Sequence, residues 1–261
     1  MTASNDRARW FPYSYSRNKS DIIYMNQLLN CQDDYGCGTK DDCVHDPKWK
    51  IFNFEEYFSK EQYDYLSMGC SVSFGSEIKK SQTWRHNLPN SIDLSVPGMG
   101  IDAIWHNLRY LTSQDKLSFG KIIVLLPNLI RKTFRISRDG NWYNFIMTPN
   151  TQAPKHPNFS FKPEEMQELN ERHTRFLVMD GQRYGTWILN KFIDWINDRN
   201  LSNVYLSSWD NEVFGILEQR IENKERLLDQ FDWNHMKDKS IDHPSPEAHQ
   251  KWLGQIRKIL V

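Results

Sequence analysis

The amino-acid sequence predicts a three-layer α/β fold with a mainly parallel central sheet. Three observations carry this. Lys121-Ile122-Ile123-Val124-Leu125-Leu126 is a continuous apolar run bounded by Gly120 and Pro127, which suits a central strand covered on both faces. From about residue 65 onward, strand-like stretches alternate with stretches of helical periodicity, the rhythm of a parallel sheet with crossover helices. Ser245-Pro246 supplies a helix cap and first turn for a final amphipathic segment.

Taken in order, Tyr65-Leu66-Ser67-Met68 reads as the first strand, ending in Gly69-Cys70-Ser71. The stretch Ser76 to Leu88 is expected as a helix with Trp84 and Leu88 on one face. Ser91-Ile92-Asp93-Leu94-Ser95-Val96 alternates apolar and polar residues as a strand does, and Pro97-Gly98-Met99-Gly100 turns the chain. Apolar residues at 101, 104, 105, 108 and 111 then mark a helix. Residues 132 to 175 are polar, rich in Pro and Asn and poorly periodic, and are expected to form an insertion. A further helix is marked by Tyr184, Trp187, Ile188, Lys191, Phe192, Trp195 and Ile196, an aromatic stripe expected in the core. Asn203 to Ser208 reads as another strand, and Ala248, Trp252, Leu253, Ile256 and Leu260 define the last helix. The first 60 residues lack this alternation, apart from a short amphipathic stretch from Ile22 to Leu29, and are expected as an N-terminal extension to a domain spanning 61 to 261.

Composition narrows the function. Lys+Arg and Asp+Glu are equal at 33 each, so no net field draws nucleic acid or an acidic membrane, and no basic run is interleaved with aromatics. Met1 to Trp10 is polar and charged, and no uncharged apolar run approaches the ~18 residues of a membrane span. The expected location is therefore the cytoplasm, with no nucleic-acid or membrane partner. Four cysteines are too few for a disulfide scaffold in a chain of 261 residues. Cys31, Cys37 and Cys43 share a loop with His45, but they lack the short C-x2-4-C spacing of structural zinc sites. No metal and no cofactor is expected.

In a parallel sheet the loops at the carboxyl ends of the strands converge on one edge. Ser71 follows the first strand, Gly98 the second and Asn128 the third, and His243 lies in the loop before the last helix. These residue types suit serine-based acyl transfer. A hydroxyl becomes nucleophilic when an imidazole removes its proton, and the imidazole later protonates the leaving group. The backbone N–H groups of Ser71 and Gly98 and the side-chain amide of Asn128 are candidate donors to a tetrahedral oxyanion. Plainer roles stand beside these: Ser71 and Asn128 read as turn residues; His249, a rival base to His243, as a polar packing residue; Cys70, a rival nucleophile, as a small buried hydrophobe; and Arg131, a candidate to bind a substrate carboxylate, as an exposed surface cation. Ser73 stands where an α/β-hydrolase nucleophile elbow requires glycine, which disfavours that fold.

These blocks resemble the SGNH, or GDSL-like, hydrolases, named for a Ser, Gly, Asn and His in four blocks. The resemblance spans about Tyr65 to the C-terminus. The family's Gly-Asp-Ser-x-x-x-Gly resembles Gly69-Cys70-Ser71-Val72-Ser73-Phe74-Gly75, and its second-block glycine matches Gly98. Leu126-Pro127-Asn128-Leu129 is a loose counterpart of Gly-x-Asn-Asp, and Ser240-Ile241-Asp242-His243-Pro244-Ser245 resembles Asp-x-x-His followed by Pro-Ser. The resemblance implies a flavodoxin-like fold and metal-free hydrolysis of small esters, with O-acyl carbohydrate a substrate class to test. Cys70 replaces the first-block aspartate, a Gly-Cys-Ser variant of a kind also found in bacterial viruses. Ser240 stands in place of the aspartate that orients the histidine, leaving Asp242 and Asp238 as candidate substitutes. A catalytically degenerate scaffold, acting as a virion-associated binding or structural module with protein partners, is the alternative expectation.

Overall fold

The computed structural model describes residues 15–16, 58, 60–75, 78, 80–95, 99–113, 115–138, 141–147, 162–232 and 244–259. The expectations for Ile22–Leu29, for Cys31, Cys37, Cys43 and His45, for Gly98, and for Asp238, Ser240, Asp242 and His243 lie outside the described residues.

The strands are β1 (Tyr15–Ser16), β2 (Gln62–Gly69), β3 (Ser91–Asp93), β4 (Ser118–Leu126), β5 (Lys132–Arg138), β6 (Asn141–Met147) and β7 (Val204–Ser208). The helices are α1 (Ser71–Phe74), α2 (Ile101–Leu111), α3 (Pro163–Arg175), α4 (Gly181–Asp198), α5 (Asn211–Arg220) and α6 (Pro246–Lys258). Four strands form a parallel sheet in the order β3-β2-β4-β7. Counted along the chain within that sheet the order is second, first, third, fourth, which is the flavodoxin-like order. The expected α/β class with a parallel central sheet is what forms.

Alternation along β4 explains the layers. Ile122, Val124 and Leu126 face one core with Leu66 and Met68 of β2, and that core is closed by Ile104 and Leu108 of α2, Leu189, Phe192 and Ile193 of α4, and Val213 and Leu217 of α5. Ile123 and Leu125 face the opposite core, filled by Val72, Trp84, Phe231 and by Trp252, Leu253 and Ile256 of α6. A strand buried on both sides needs apolar residues at every position, which is why residues 121–126 show no polar alternation. The Trp84 and Trp252 rings meet edge to face with centroids 4.8 Å apart, and Phe231 packs on Trp252 at 5.4 Å.

Three expectations change. Ser76 to Leu88 does not form one helix: α1 ends at Gly75, which has a φ of 75°, and the chain continues through 3-10 turns at Lys80–Gln82 and Arg85–Asn87. Its apolar residues, Ile78, Trp84 and Leu88, are spaced by six and four, so they cannot share a helical stripe, although all three are buried. Within 132 to 175 the structure holds an antiparallel pair, β5 with β6, and the helix α3. The signal is the alternation around Phe134 and Ile136 followed by Asp139-Gly140, a hairpin dipeptide, which a reading of the segment as aperiodic passes over. Trp187 is 54% exposed rather than part of the core. It sits two residues before Leu189, about 200° around the helix from the buried face.

Candidate active site

Parallel register places the carboxyl ends of the strands level with one another. Gly69 pairs with Leu125, and Leu125 pairs with Ser207. Cys70-Ser71, Pro127-Asn128 and Trp209-Asp210 therefore leave the sheet side by side at one edge. β2 and β4 are neighbours, yet the chain crosses to opposite sides after each of the first two strands, so the gap between them is the topological switch point of the sheet. Ser71 and Asn128 flank it.

Ser71 opens α1 and is 8% exposed. Its turn is held from below by a buried polar network. Ser73 Oγ lies 2.8 Å from Ser95 Oγ, which joins α1 to the segment following β3. Asp93 accepts hydrogen bonds from Ser67 Oγ at 2.7 Å and from Ser95 N at 3.0 Å. Arg85, 4% exposed, donates from Nε and Nη2 to the Phe74 carbonyl at 3.1 and 2.7 Å and pairs through Nη1 with Asp93 Oδ2 at 2.5 Å. A guanidinium that satisfies a helix-end carbonyl and a carboxylate together fixes where α1 ends relative to β3.

Cys70 is fully buried and accepts from the Trp209 indole N–H at 3.3 Å. That is the environment of a structural thiol, as the plainer reading of Cys70 has it. His249 is also fully buried: its Nδ1 accepts from the Trp84 backbone N–H at 3.5 Å and its ring stands 5.9 Å from Phe231. It is a packing residue on the α6 face of the sheet.

Asn128 begins the loop from β4 to β5. Leu129, 2% exposed, anchors that loop against α4 at Gly185, where a Cβ would stand 2.1 Å from the Leu129 carbonyl oxygen. Only glycine permits this approach. Asn128 Oδ1 is buried and meets no hydrogen-bond partner among the described residues. Arg131 differs from expectation: it is half-buried rather than a surface cation, its Nη1 is buried with no hydrogen-bond partner among the described residues, and its guanidinium lies 5.6 Å from the Trp209 ring centroid. The Trp209 ring lies beside it, which its position in a polar stretch did not reveal.

Of the four residues singled out in the sequence, the structure brings Ser71 and Asn128 to one edge; Gly98 and His243 are not among the described residues. Trp209 was not singled out. Its signal was positional, an aromatic directly after the apolar strand Val204–Ser208, at the same edge as the other loops.

No helix among the described residues is long and apolar enough to cross a membrane. No family model matches the chain, and no curated protein does. Among solved structures the chain is similar to one described as "Crystal Structure of TesA", with 12% identity, a TM-score of 0.42, and coverage of 75% of this chain and 97% of that one.

Proposed function

We propose that the protein is a serine esterase of SGNH type. Ser71 Oγ attacks the ester carbonyl while His243 takes its proton, and the oxyanion is met by the Ser71 and Gly98 N–H groups and the Asn128 amide. The C–O bond to the alcohol then breaks, His243 protonates the leaving oxygen, and water activated by the same imidazole releases the acyl group from Ser71. The observation that supports this best is the pairing of Gly69 with Leu125, which sets Ser71 and Asn128 on adjacent strand ends at the switch point of the sheet. The buried network of Ser73, Ser95, Asp93 and Arg85 also supports it, because a nucleophile needs a turn that does not shift during the reaction.

Ser240, in place of the family's aspartate, favours a second reading, a scaffold that binds without hydrolysing. One comparison separates the two: hydrolysis of p-nitrophenyl acetate and of an O-acetylated polysaccharide by the native protein and by Ser71→Ala. The esterase reading expects the variant to lose about a thousandfold or more in kcat/KM. It also expects a fluorophosphonate probe to add once to the native chain and not to the variant. Equal rates, or labelling that persists in Ser71→Ala, would refute it.

A further inference from the structure

Arg131 is a half-buried cation whose guanidinium lies 5.6 Å from the Trp209 ring centroid, with Nη1 buried and unpartnered among the described residues. Leaving a guanidinium donor out of water without an acceptor is costly, and proteins normally supply a carboxylate or carbonyl at such a place. A guanidinium set over an aromatic ring can still turn its in-plane N–H groups to anionic oxygens, the use arginine is suited to. Three residues earlier, on the same loop, Asn128 Oδ1 is likewise buried and unpartnered. One is a charged donor and the other a neutral acceptor, and they do not bond to each other. Both lie beyond the end of β4, beside β2, the strand that leads into Ser71.

We infer that the Arg131–Trp209 pair is the subsite for an anionic oxygen group of the substrate. It takes a carboxylate or phosphate at Arg131, while a hydroxyl or N–H of the same molecule donates to Asn128 Oδ1. This rests on the esterase reading and narrows it to anionic, hydroxyl-bearing esters, the class to which acylated acidic sugars belong. Arg131 binds; it takes no part in the bond changes at Ser71.

The test compares each of two anionic esters, mono-p-nitrophenyl glutarate and 4-acetoxybenzoate, with its neutral methyl ester. The native protein is expected to favour at least one anionic member. In Arg131→Gln the anionic-to-neutral ratio of kcat/KM is expected to fall about tenfold or more, the usual weight of a charge-assisted hydrogen bond, with partial recovery in Arg131→Lys. A native preference for the neutral esters, or a ratio unchanged in Arg131→Gln, would overturn the subsite. Titration of native, Ser71→Ala and Arg131→Gln proteins with glutarate and with inorganic phosphate, followed by calorimetry, reads the subsite without turnover. Saturable binding in the first two and not in the third supports it even where Ser71→Ala leaves hydrolysis unchanged and the esterase reading fails. Absence of binding to the native protein, or equal binding by Arg131→Gln, overturns it. The stronger of the two anions identifies the group as carboxylate or phosphate.

Discussion

Replacing Gly185 by alanine sets two effects against each other. Inside a helix the change gains about 0.8–1.0 kcal/mol, because glycine loses the most backbone freedom on folding. Against this, the new Cβ would stand 2.1 Å from the Leu129 carbonyl oxygen, 2.6 Å from its Cβ and 2.7 Å from its carbonyl carbon. Two of those atoms are backbone, so no rotamer change relieves the overlap and the loop must move by roughly 1 Å. Overpacking of this kind costs about 1–3 kcal/mol, and a collision with backbone belongs at the upper end. The clash therefore wins by about 1–2 kcal/mol. At about 2–4 °C per kcal/mol for a chain of this size, Tm is expected to fall by about 2–8 °C. Gly254 in α6 is the control, since an added Cβ meets nothing within 4 Å. Gly254→Ala is expected to raise Tm by about 1–4 °C. Differential scanning calorimetry of both variants beside the native protein is the assay. Because Leu129 lies between Asn128 and Arg131, Gly185→Ala should also reduce ester hydrolysis, and Gly254→Ala should not. A Gly185→Ala protein as stable as Gly254→Ala would refute the contact between α4 and the loop.

Two further expectations concern the support beneath α1. Arg85→Met removes both hydrogen bonds to Phe74 and leaves the Asp93 carboxylate without its cation, so urea titration should show a loss of about 3–5 kcal/mol; adding Asp93→Asn should recover part of it, and strict additivity of the two changes would argue against their pairing. Ser73→Ala or Ser95→Ala alone strands a buried hydroxyl, for a loss of about 1–3 kcal/mol, whereas the double variant should be less destabilised than the sum; an additive double variant would mean the two hydroxyls do not bond.

The elements that were legible in the sequence are those whose burial repeats along the chain. Residues 121–126 announce a two-sided strand, and the spacing from Ile101 to Leu111 announces α2, because each residue's exposure follows from its phase within a single element. The Ser245 cap and Pro246 mark the start of α6 for a similarly local reason. Ser76 to Leu88 defeated that logic. Its buried residues serve the second core from irregular turns, and what stops a helix there is Gly75 together with the grip of Arg85 on Phe74.

For the site, sequence order was enough to propose Ser71 and Asn128, since loops after parallel strands share an edge. The rest required the sheet itself. Placing β2 between β3 and β4 is what sets the Ser73–Ser95 bond and the Arg85–Asp93 pair beneath Ser71, and what lets the Trp209 indole reach Cys70 across 139 positions of chain. It also turns Arg131 from an ordinary polar residue into a half-buried cation against an indole. Periodicity records which face of an element is buried; which residues of different elements meet depends on strand order and register, and these are settled by the packing of the whole chain.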